Sequence, residues 1–296
     1  MKKILIITER RADFSRFKPI IKLIQKDKRL DYQLIVTGLH LIKKYGYTIK
    51  EIDKDKFKVF SKFKMFDNEY FVKNDGAEMV RAIGKAFLNI SRLLKKAKPD
   101  LILSGFDIAA NFAISVAGAH MNIPVAHIQG GEVSGTIDES IRHATSKFSN
   151  FHFTANKETR NRLIKLGEIP ENIFPVGCPS IDALLSANLV KKQLIKKKFK
   201  IDLNQEFLVV IQHPVTSEQN TLSQINKTLS VIKSSKMQHL VVFPNNDSGA
   251  NKILQEIKRA KLNYIPTLSL SEYRTLLGGK MILLGNSSSG IHEAAS

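Results

Sequence analysis

The chain has 296 residues, of which 43% are hydrophobic and 25% charged, and its formal net charge is +19. At about 150 residues per domain this length predicts two domains, and no apolar run approaches the roughly 18 residues of a membrane-spanning helix, which excludes a transmembrane protein. Charged residues follow the first apolar segment at positions 9–13, so no signal peptide is predicted. We expect a cytoplasmic protein with no membrane partner.

The single cysteine and the basic charge limit the function classes further. Cys178 stands alone, which excludes an internal disulfide and a metal site built on several cysteines. The excess of basic residues is a signal for nucleic-acid or membrane-surface binding. The lysines, however, concentrate in helix-like segments such as residues 191–200, without the interleaved aromatic pattern that base stacking needs. We therefore predict a solvated lysine-rich surface and no nucleic-acid partner.

Strand and helix patterns alternate through the first half of the chain. Residues 3–8 are apolar throughout, as in a strand buried on both faces, and residues 14–25 follow with helical periodicity. The alternation continues with strands at 32–37, 100–103, 124–128 and 151–154 and with helices at 77–96, 110–121 and 138–148. This order predicts an α/β fold with a parallel, doubly wound sheet.

A lysine-rich segment without a strand pattern, residues 186–204, separates two such series. The second series has strands at 207–212, 239–244, near 264 and at 281–285, with helices at 220–234, 251–260 and 271–277. We therefore predict a first domain at residues 1–185, a linker at 186–204 and a second domain at 205–296. The sequence stops in the first turn of a helix that begins at Gly290, so we expect the second domain to be incomplete, as in a fragment.

Four polar loops follow predicted strands, which is where an open parallel sheet binds its ligand. They are residues 9–13, 106–107, 129–132 and 285–290. The last of them places two glycines and three serines before a helix, where backbone N–H groups suit a diphosphate. It matches neither a Walker loop nor a dinucleotide fingerprint, and a small-residue turn with a serine N-cap is the alternative.

Residues 127–143 contain two histidines, three carboxylates, an arginine and three glycines. Asp138 and Arg142 lie four residues apart on one helix face, so a simple helix salt bridge is the alternative to a functional role. The adjacent glycines allow close approach of a ligand, and neighbouring carboxylates acquire separated pKa values that suit acid and base roles. We predict that this segment is functional.

For three histidines and the cysteine, the sequence gives weaker evidence of a functional role. His213 ends a predicted strand, where an imidazole can donate to a phosphate or a leaving group, although a structural role is commoner there. His152 lies inside a predicted strand and is expected in the core, whereas His40 lies in a loop and both readings stay open. Cys178 has no base beside it in sequence, so a buried structural thiol is expected.

Eight short segments of the sequence form an ordered set of motifs. They are residues 11–14, 38–42, 98–100, 130–144, 177–180, 212–216, 243–247 and 285–288. This pattern resembles the hydrolysing UDP-N-acetylglucosamine 2-epimerases, particularly the sialic-acid-pathway branch that releases N-acetylmannosamine and UDP. The resemblance implies a GT-B-like architecture in which two Rossmann-like domains bind the nucleotide sugar in the cleft between them. It also implies a homodimer or homotetramer.

In the mechanism that the resemblance implies, UDP leaves by elimination across C1 and C2 of the sugar, and water then adds to give the 2-epimer. Neither a metal ion nor NAD takes part, so no cofactor is expected. Carboxylates must remove the C2 proton and deliver water, and the site must stabilise the departing UDP.

The resemblance matches Asp107 and Asp138 to two acid/base carboxylates, Arg142 to an active-site arginine and His213 to a histidine near the phosphates. Together with Glu132 they are the predicted catalytic residues. Two departures from the family bear on them. The family's Gly-Asp-Arg-Phe here reads Phe-Asp-Ile-Ala, so the aspartate remains while its flanking glycine and arginine are lost. A glutamine also stands at position 129, where many members have glutamate, and an amide cannot transfer a proton as a carboxylate does. Glu132 is the candidate replacement, unless the substrate differs.

Eight further residues are predicted to bind substrate. In the resemblance two serines match the diphosphate binders, one glutamate matches the carboxylate that holds the ribose hydroxyls, and Arg11, His40 and Asn245 match other positions in the cleft. These residues are Ser287, Ser288, Glu293, Arg11, His40, His127, Gln129 and Asn245.

From the resemblance we predict a hydrolysing 2-epimerase of UDP-N-acetylglucosamine. One alternative is the same chemistry on a UDP-linked diacetamido-trideoxyhexose, which leads to legionaminic acid. Another is a UDP-sugar-binding relative without turnover, which UDP binding in the absence of activity would identify. The third is a nucleic-acid binder, which would show a steep salt dependence of oligonucleotide affinity.

Overall fold

The computed structural model describes residues 1–67, 73–216, 218 and 220–294. Backbone contacts divide the chain into two compact units. Unit 1 comprises residues 1–70 and 77–179, and unit 2 comprises residues 71–76 and 180–296. Each unit is built on a parallel β-sheet.

The sheet of unit 1 has seven strands. In chain order they are β1 (Lys2–Thr8), β2 (Leu30–Val36), β3 (Val59–Lys62), β4 (Leu101–Gly105), β5 (Val125–Ile128), β6 (Phe151–Thr154) and β7 (Ile173–Pro175). Their spatial order is β3-β2-β1-β4-β5-β6-β7, and all neighbours are parallel. The chain order reverses between β1 and β4, so the carboxyl ends of these two strands form the topological switch point where such sheets bind ligands.

Helices follow the strands of unit 1. They are α1 (Arg11–Lys26), α2 (Ile49–Lys54), α3 (Gly76–Ala97), α4 (Ala109–His120), α5 (Ile137–Lys147) and α6 (Lys157–Lys165), with 3-10 turns at Gly38–Leu41, Lys43–Tyr45 and Pro170–Asn172. The first turn of α1 is closed by Asp13, whose carboxylate accepts the N–H of Arg10 at 2.9 Å. Phe14, Phe17 and Ile21 form the buried face of α1 and join the core of the sheet.

The sheet of unit 2 has four strands, β8 (Phe207–Ile211), β9 (Gln238–Val242), β10 (Tyr264–Ile265) and β11 (Met281–Gly285). Their order is β10-β9-β8-β11, so a second switch point lies between β8 and β11. The accompanying helices are α7 (Pro179–Ser186), α8 (Lys192–Phe199), α9 (Thr221–Ser235), α10 (Ala250–Arg259), α11 (Leu270–Leu277) and α12 (Ser289–His292).

The core of unit 2 lies on both faces of its sheet because successive residues of a strand point to opposite sides. Phe207 and Val209 of β8 belong to one cluster, which includes buried residues of α8 and α11. Leu208 and Val210 belong to the other cluster, which includes buried residues of α9 and α10. An uninterrupted apolar strand is therefore required at β8, as the sequence has it.

The predicted α/β class and its parallel sheets are confirmed. Each strand predicted from the sequence has an observed counterpart with bounds that differ by at most two residues. The strands β3 and β7 and the helices α2, α6, α7 and α8 were not predicted. No helix in the described ranges combines the length and the hydropathy needed to cross a membrane.

The predicted linker at residues 186–204 differs from what the structure has there. This segment contains α8, whose Ile195 and Phe199 are buried in the core of unit 2. The division between the compact units falls after residue 179, and residues 71–76 join unit 2. The lysines of the segment occupy the outward positions of a helix that has only a narrow apolar face, which is why its composition resembles that of a linker.

Candidate active site

Three polar loops of unit 1 lie side by side at its switch point. Residues 9–10 connect β1 to α1, residues 106–108 connect β4 to α4, and residues 129–136 connect β5 to α5. Because β1, β4 and β5 are adjacent in the sheet, their carboxyl ends bring these loops to the same edge. Asp107 of the second loop meets Arg10 of the first loop and Arg142 of α5, the helix that follows the third loop.

Asp107 is held between arginines. Its Oδ2 accepts a hydrogen bond from Nη2 of Arg142, and its Oδ1 lies 3.9 Å from Nη2 of Arg10. Burial alone would raise the pKa of Asp107, but the positive charges of Arg142, Arg10 and Arg16 outweigh burial and lower it. Asp107 is therefore an ionised carboxylate at neutral pH.

Arg142 also holds the loop before α5. It is 5% exposed, and its Nη1 donates to the backbone carbonyl of Glu132 at 2.8 Å. At the start of the same helix, Thr136 accepts the N–H of Asp138 at 3.3 Å and so fixes the first turn. Asp138 is partly exposed and lies one helical turn before Arg142. The predicted residues Asp138, Arg142 and Glu132 are therefore brought together around one helix end.

Gln129 links the loops through its side-chain amide. Its Oε1 accepts a hydrogen bond from Nη1 of Arg16 at 3.4 Å, and its Nε2 donates to Oε1 of Glu132 at 3.2 Å. The same Nε2 lies 3.3 Å from Sγ of Cys178, which is a partly exposed thiol outside any disulfide. The thiol expected in the core therefore lies beside the candidate site.

His127 is completely buried behind this loop. Its Nε2 lies 3.1 Å from the carbonyl oxygen of Phe106, which can only accept, so Nε2 carries the proton and Nδ1 accepts from Ser146 Oγ at 3.0 Å. Burial lowers the pKa of His127 to about 3, so the ring is neutral. The predicted contact of His127 with substrate is corrected here, because the imidazole instead holds the residue that precedes Asp107.

His40 is buried in the same way, behind the loop after β1. Thr8 donates its hydroxyl to Asp13 at 3.0 Å, so Nε2 of His40 donates to Thr8 and Nδ1 accepts from Thr48, at 3.0 and 2.8 Å. Burial lowers the pKa of His40 to about 3. These hydrogen bonds lead to Asp13, which accepts the N–H of Arg10, so His40 supports the loop that carries Arg10. Its contact with substrate stays a prediction.

Two arginines near the start of α1 belong to the site and were not predicted from the sequence. Arg10 precedes the helix and faces Asp107, and Cζ of Arg16 lies 4.7 Å from the centre of the Phe106 ring. Arg11, which was predicted to bind substrate, is partly buried, and its charge acts on His40. Arg16 lies three residues after the buried Asp13 on the same helix face, and this spacing was the available signal.

The chemistry available in unit 1 is proton transfer beside fixed positive charge. Asp107, Asp138 and Glu132 supply carboxylates, and Arg10 and Arg142 supply guanidinium groups. Among the described residues, no group of three or more His, Cys, Asp or Glu side chains could hold a metal ion. Such an arrangement suits acid–base steps in which an anion departs.

In unit 2, hydrogen bonds join the loops that follow β8, β9 and β11. The N–H of His213 donates to Oδ1 of Asn286 at 2.7 Å, and Nδ2 of Asn286 donates back to the carbonyl of His213 at 3.0 Å. Nδ1 of His213 accepts the N–H of Asn245 at 3.1 Å. The predicted pair His213 and Asn245 is therefore brought together at the second switch point.

The serine loop follows β11 directly. Ser287 is partly exposed and Ser288 exposed, and among the described residues their backbone N–H groups have no acceptor. Ser287 Oγ accepts the N–H of Ser289 at 3.3 Å, which begins the short helix α12. Glu293 comes directly after α12, and its charge adds to burial in raising the pKa of Tyr273 to about 12.

Comparisons with known proteins agree on one family. The sequence pattern that describes UDP-N-acetylglucosamine 2-epimerases matches residues 22–296. The chain belongs to this family. A UDP-N,N'-diacetylbacillosamine 2-epimerase (hydrolyzing) of Legionella pneumophila is 32% identical over 100% of this chain and 79% of that protein. A UDP-N-acetylglucosamine 2-epimerase of Neisseria meningitidis is 34% identical over 99% of this chain and 77% of that protein.

Solved structures of the same family share the fold. The Neisseria meningitidis UDP-GlcNAc 2-epimerase bound to UDP-GlcNAc matches 96% of this chain and 78% of its own, with a TM-score of 0.79 at 18% identity. The S. aureus MnaA structure with UDP matches 99% and 77%, also with a TM-score of 0.79 at 18% identity. The predicted GT-B-like fold of two Rossmann-like domains is confirmed.

The positive charge around Asp107 comes from residues that are not adjacent to it in sequence. The residue that follows Asp107 is Ile108, which carries no charge. Guanidinium groups from the other side of the switch point, those of Arg10 and Arg16, act on Asp107. This epimerase therefore surrounds its aspartate with positive charge although the residue that follows it is uncharged.

Proposed function

We propose that the chain is a hydrolysing 2-epimerase that converts UDP-N-acetylglucosamine and water to N-acetylmannosamine and UDP. The observation that carries the proposal is the ionised carboxylate of Asp107, which lies between Arg10 and Arg142 at a switch point. Relatives that are 32% and 30% identical are named as hydrolysing 2-epimerases, which supports the same reaction type here.

The reaction has two steps that need groups of this kind. In the elimination, a carboxylate takes the C2 proton, the C–H electron pair becomes the C1–C2 double bond, and UDP departs with the electron pair of its bond to C1. In the addition, water delivers its oxygen to C1 and a proton returns to C2 on the opposite face. Each step requires a positioned carboxyl group, and the first requires positive charge near the reacting centre.

In this proposal unit 1 supplies the acid and base groups. Asp107, Asp138 and Glu132 are the carboxylates, and all three lie in loops or a helix start at the carboxyl ends of β4 and β5. Arg142 orients Asp107 through its Nη2 and Glu132 through the backbone carbonyl. An arginine that binds the Asp107 carboxylate and the backbone of Glu132 fixes the position of one loop relative to the other.

Unit 2 supplies the nucleotide site in this proposal. Ser287 and Ser288 offer backbone N–H groups to the diphosphate, and His213 and Asn245 lie at the neighbouring strand ends. Glu293 holds the ribose hydroxyls, as the family resemblance implies.

A second candidate is the same reaction on a UDP-linked diacetamido sugar. The Legionella relative, which is named for UDP-N,N'-diacetylbacillosamine, aligns with the whole of this chain. The Campylobacter jejuni relative is named for a GDP- or UDP-linked form of the same sugar. The sugar's substituents at C4 and C6 would distinguish the two substrates.

The test is a direct comparison of two substrates with the purified chain. UDP-N-acetylglucosamine and UDP-N,N'-diacetylbacillosamine are incubated separately, free UDP is followed by phosphorus NMR, and the sugar product is identified by proton NMR. We expect UDP and N-acetylmannosamine from the first substrate, with a kcat/KM at least about tenfold above that of the second. The reverse preference would favour the second candidate. A protein that binds UDP but releases no UDP from either sugar nucleotide would contradict both candidates.

A further inference from the structure

Gln129 has a strained and enclosed position in unit 1. Its backbone has a positive φ of 60°, which is uncommon for a residue other than glycine, and its side chain belongs to a residue that is 1% exposed. The N–H of Gln129 donates to the carbonyl of Phe153 at 2.8 Å, which holds the backbone in this conformation. Strain of this kind persists where the surrounding structure requires a side chain at one place.

The amide of Gln129 makes contacts of opposite polarity. Its oxygen accepts from the guanidinium of Arg16, and its nitrogen donates to the carboxylate of Glu132. These partners fix the orientation of the amide, since Arg16 can only donate and an ionised Glu132 can only accept. A neutral amide is the group that satisfies both at once, whereas a carboxylate at this place would face Glu132 with a second negative charge.

Glu132 is thereby held at two points. Arg142 binds its backbone carbonyl at 2.8 Å, and Gln129 binds its Oε1 at 3.2 Å. Arg142 also pairs with Asp107, so one guanidinium group connects the carboxylate of Asp107 to the backbone of Glu132. Arg16, which binds the oxygen of Gln129, also stacks on the ring of Phe106, the residue before Asp107.

We propose that Gln129 is a positioning residue that holds the Glu132 carboxylate beside Asp107, and that Glu132 is the group that accepts the C2 proton of the substrate. This inference rests on the proposed function and names the base for it. The C2 proton passes to an oxygen of Glu132, the C–H electron pair forms the C1–C2 double bond, and the bond from C1 to UDP breaks with its electrons on UDP. In the addition step water supplies the hydroxyl that bonds to C1 and the proton that bonds to C2, and Glu132 returns to its charged form by releasing the abstracted proton to the solvent.

The first test uses the pH dependence of kcat/KM. Gln129→Glu places a second carboxylate beside the Glu132 carboxylate, and two neighbouring carboxylates do not ionise independently. We expect Gln129→Glu to move the acid limb of the profile upward by about one pH unit or more. Gln129→Met, which keeps the volume and loses the amide, should lower kcat about tenfold with little change in KM. The matched control is Gln205→Glu at an exposed position of unit 2, which should leave the profile unchanged.

The second test requires no turnover. The side-chain amide of Gln129 is observed by nitrogen-15 NMR from pH 3 to 8 in the full chain. We expect its shift to follow one carboxyl titration in the wild type and to lose that titration in Glu132→Gln. Persistence of the titration in Glu132→Gln, or an acid limb that Gln129→Glu leaves in place, would overturn the proposal.

The two tests separate this inference from the proposed function. Turnover by the wild type with an unmoved acid limb in Gln129→Glu overturns the role of Gln129 alone. If the wild type turns over neither sugar nucleotide, the proposed function and the base assignment fail together. The amide titration then decides whether the contact between Gln129 and Glu132 exists in solution.

Discussion

At the scale of single residues, Asp107 carries a negative charge that three arginines hold in place. Its pKa is lowered although the group is partly buried, because the charges of Arg142, Arg10 and Arg16 outweigh the cost of burial. A carboxylate so strongly paired is fixed in orientation as well as in charge. The proposed reaction depends on that fixed charge.

Asp107→Asn tests this dependence directly. The amide keeps the shape of the side chain but removes the negative charge that Arg10 and Arg142 hold in the site, so we expect kcat to fall about a thousandfold or more. The Kd for UDP should change less than about threefold, because the nucleotide is assigned to unit 2. UDP release and calorimetric titration with UDP measure the two quantities, with Asp55→Asn, a surface partner of Lys18, as the matched control. Retention of more than about a tenth of the activity would remove Asp107 from the mechanism.

The buried histidines predict how stability depends on pH. His40 and His127 have a pKa of about 3 in the folded chain and an ordinary value near 6.5 when unfolded, so below pH 6.5 the unfolded state binds more protons. Each histidine therefore contributes stability that is present above about pH 6.5 and is lost as the pH falls toward 3. The loss is about 1.4 kcal/mol per pH unit for each histidine.

Urea unfolding at pH 6.5, 5.5 and 4.5, followed by circular dichroism, measures this slope. Replacing either histidine, as in His127→Gln or His40→Gln, should reduce the slope by about 1.4 kcal/mol per pH unit. His120→Gln is the control, because His120 is exposed and should leave the slope unchanged. Equal slopes in all four proteins would show that the imidazoles are not neutral and buried as described.

The residues of the site differ in how far the sequence could reveal them. Asp107 could be predicted because it follows a strand directly, and Asp138 and Arg142 because they share a helix face. Arg16 had only its spacing from Asp13 as a signal and Arg10 had none, since the orientation of both depends on where α1 begins. That start is set by Asp13, which accepts bonds from the backbone of Glu9 and Arg10 at 2.8 and 2.9 Å. His40 and His127 are buried, and the hydrogen bonds that they make join different elements of the fold. Such bonds leave no local signal in the sequence.

At the scale of elements, the switch point of unit 2 depends on close contact between two strand ends. Gly285 has a φ of 135°, and a Cβ added there would lie 2.0 Å from the carbonyl oxygen of Ile211. Gly285 pairs with Ile211 in the ladder between β11 and β8. Only glycine therefore lets the serine loop leave β11 beside the loop that carries His213.

Gly285→Ala should separate these strand ends. We expect the chain to lose about 2–4 kcal/mol of stability and the affinity for UDP to fall about tenfold or more. Gly84→Ala is the matched control inside α3, where an added Cβ meets no atom within 4 Å. That change should raise stability by about 0.5–1 kcal/mol. Thermal unfolding and UDP titration measure both variants, and equal Tm changes would contradict the contact at Ile211.

The elements that the sequence missed share a physical cause. β3 and β7 are short edge strands that lack the long apolar runs of the central strands. The helix α8 has lysines on most of its surface and inserts Ile195 and Phe199 into the core of unit 2. Long, strongly periodic elements were predicted because their burial leaves a pattern, whereas short elements depend on contacts with distant parts of the chain.

At the scale of the whole molecule, the chain repeats one plan in two units. Each unit has a parallel sheet whose strand order reverses once, and each reversal carries polar loops. The carboxylates and their arginines occupy the reversal in unit 1, and the serine loop with His213 occupies the reversal in unit 2. This separation assigns the sugar chemistry to one unit and the nucleotide to the other in the proposed function.

The central claim is that this epimerase breaks the C2–H bond and releases UDP. Proton NMR of the chain incubated with UDP-N-acetylglucosamine in heavy water tests both events in one experiment. We predict N-acetylmannosamine with deuterium at C2 and a matching amount of free UDP. N-acetylmannosamine that keeps hydrogen at C2, or UDP-N-acetylmannosamine that accumulates with its diphosphate link intact, would contradict the account.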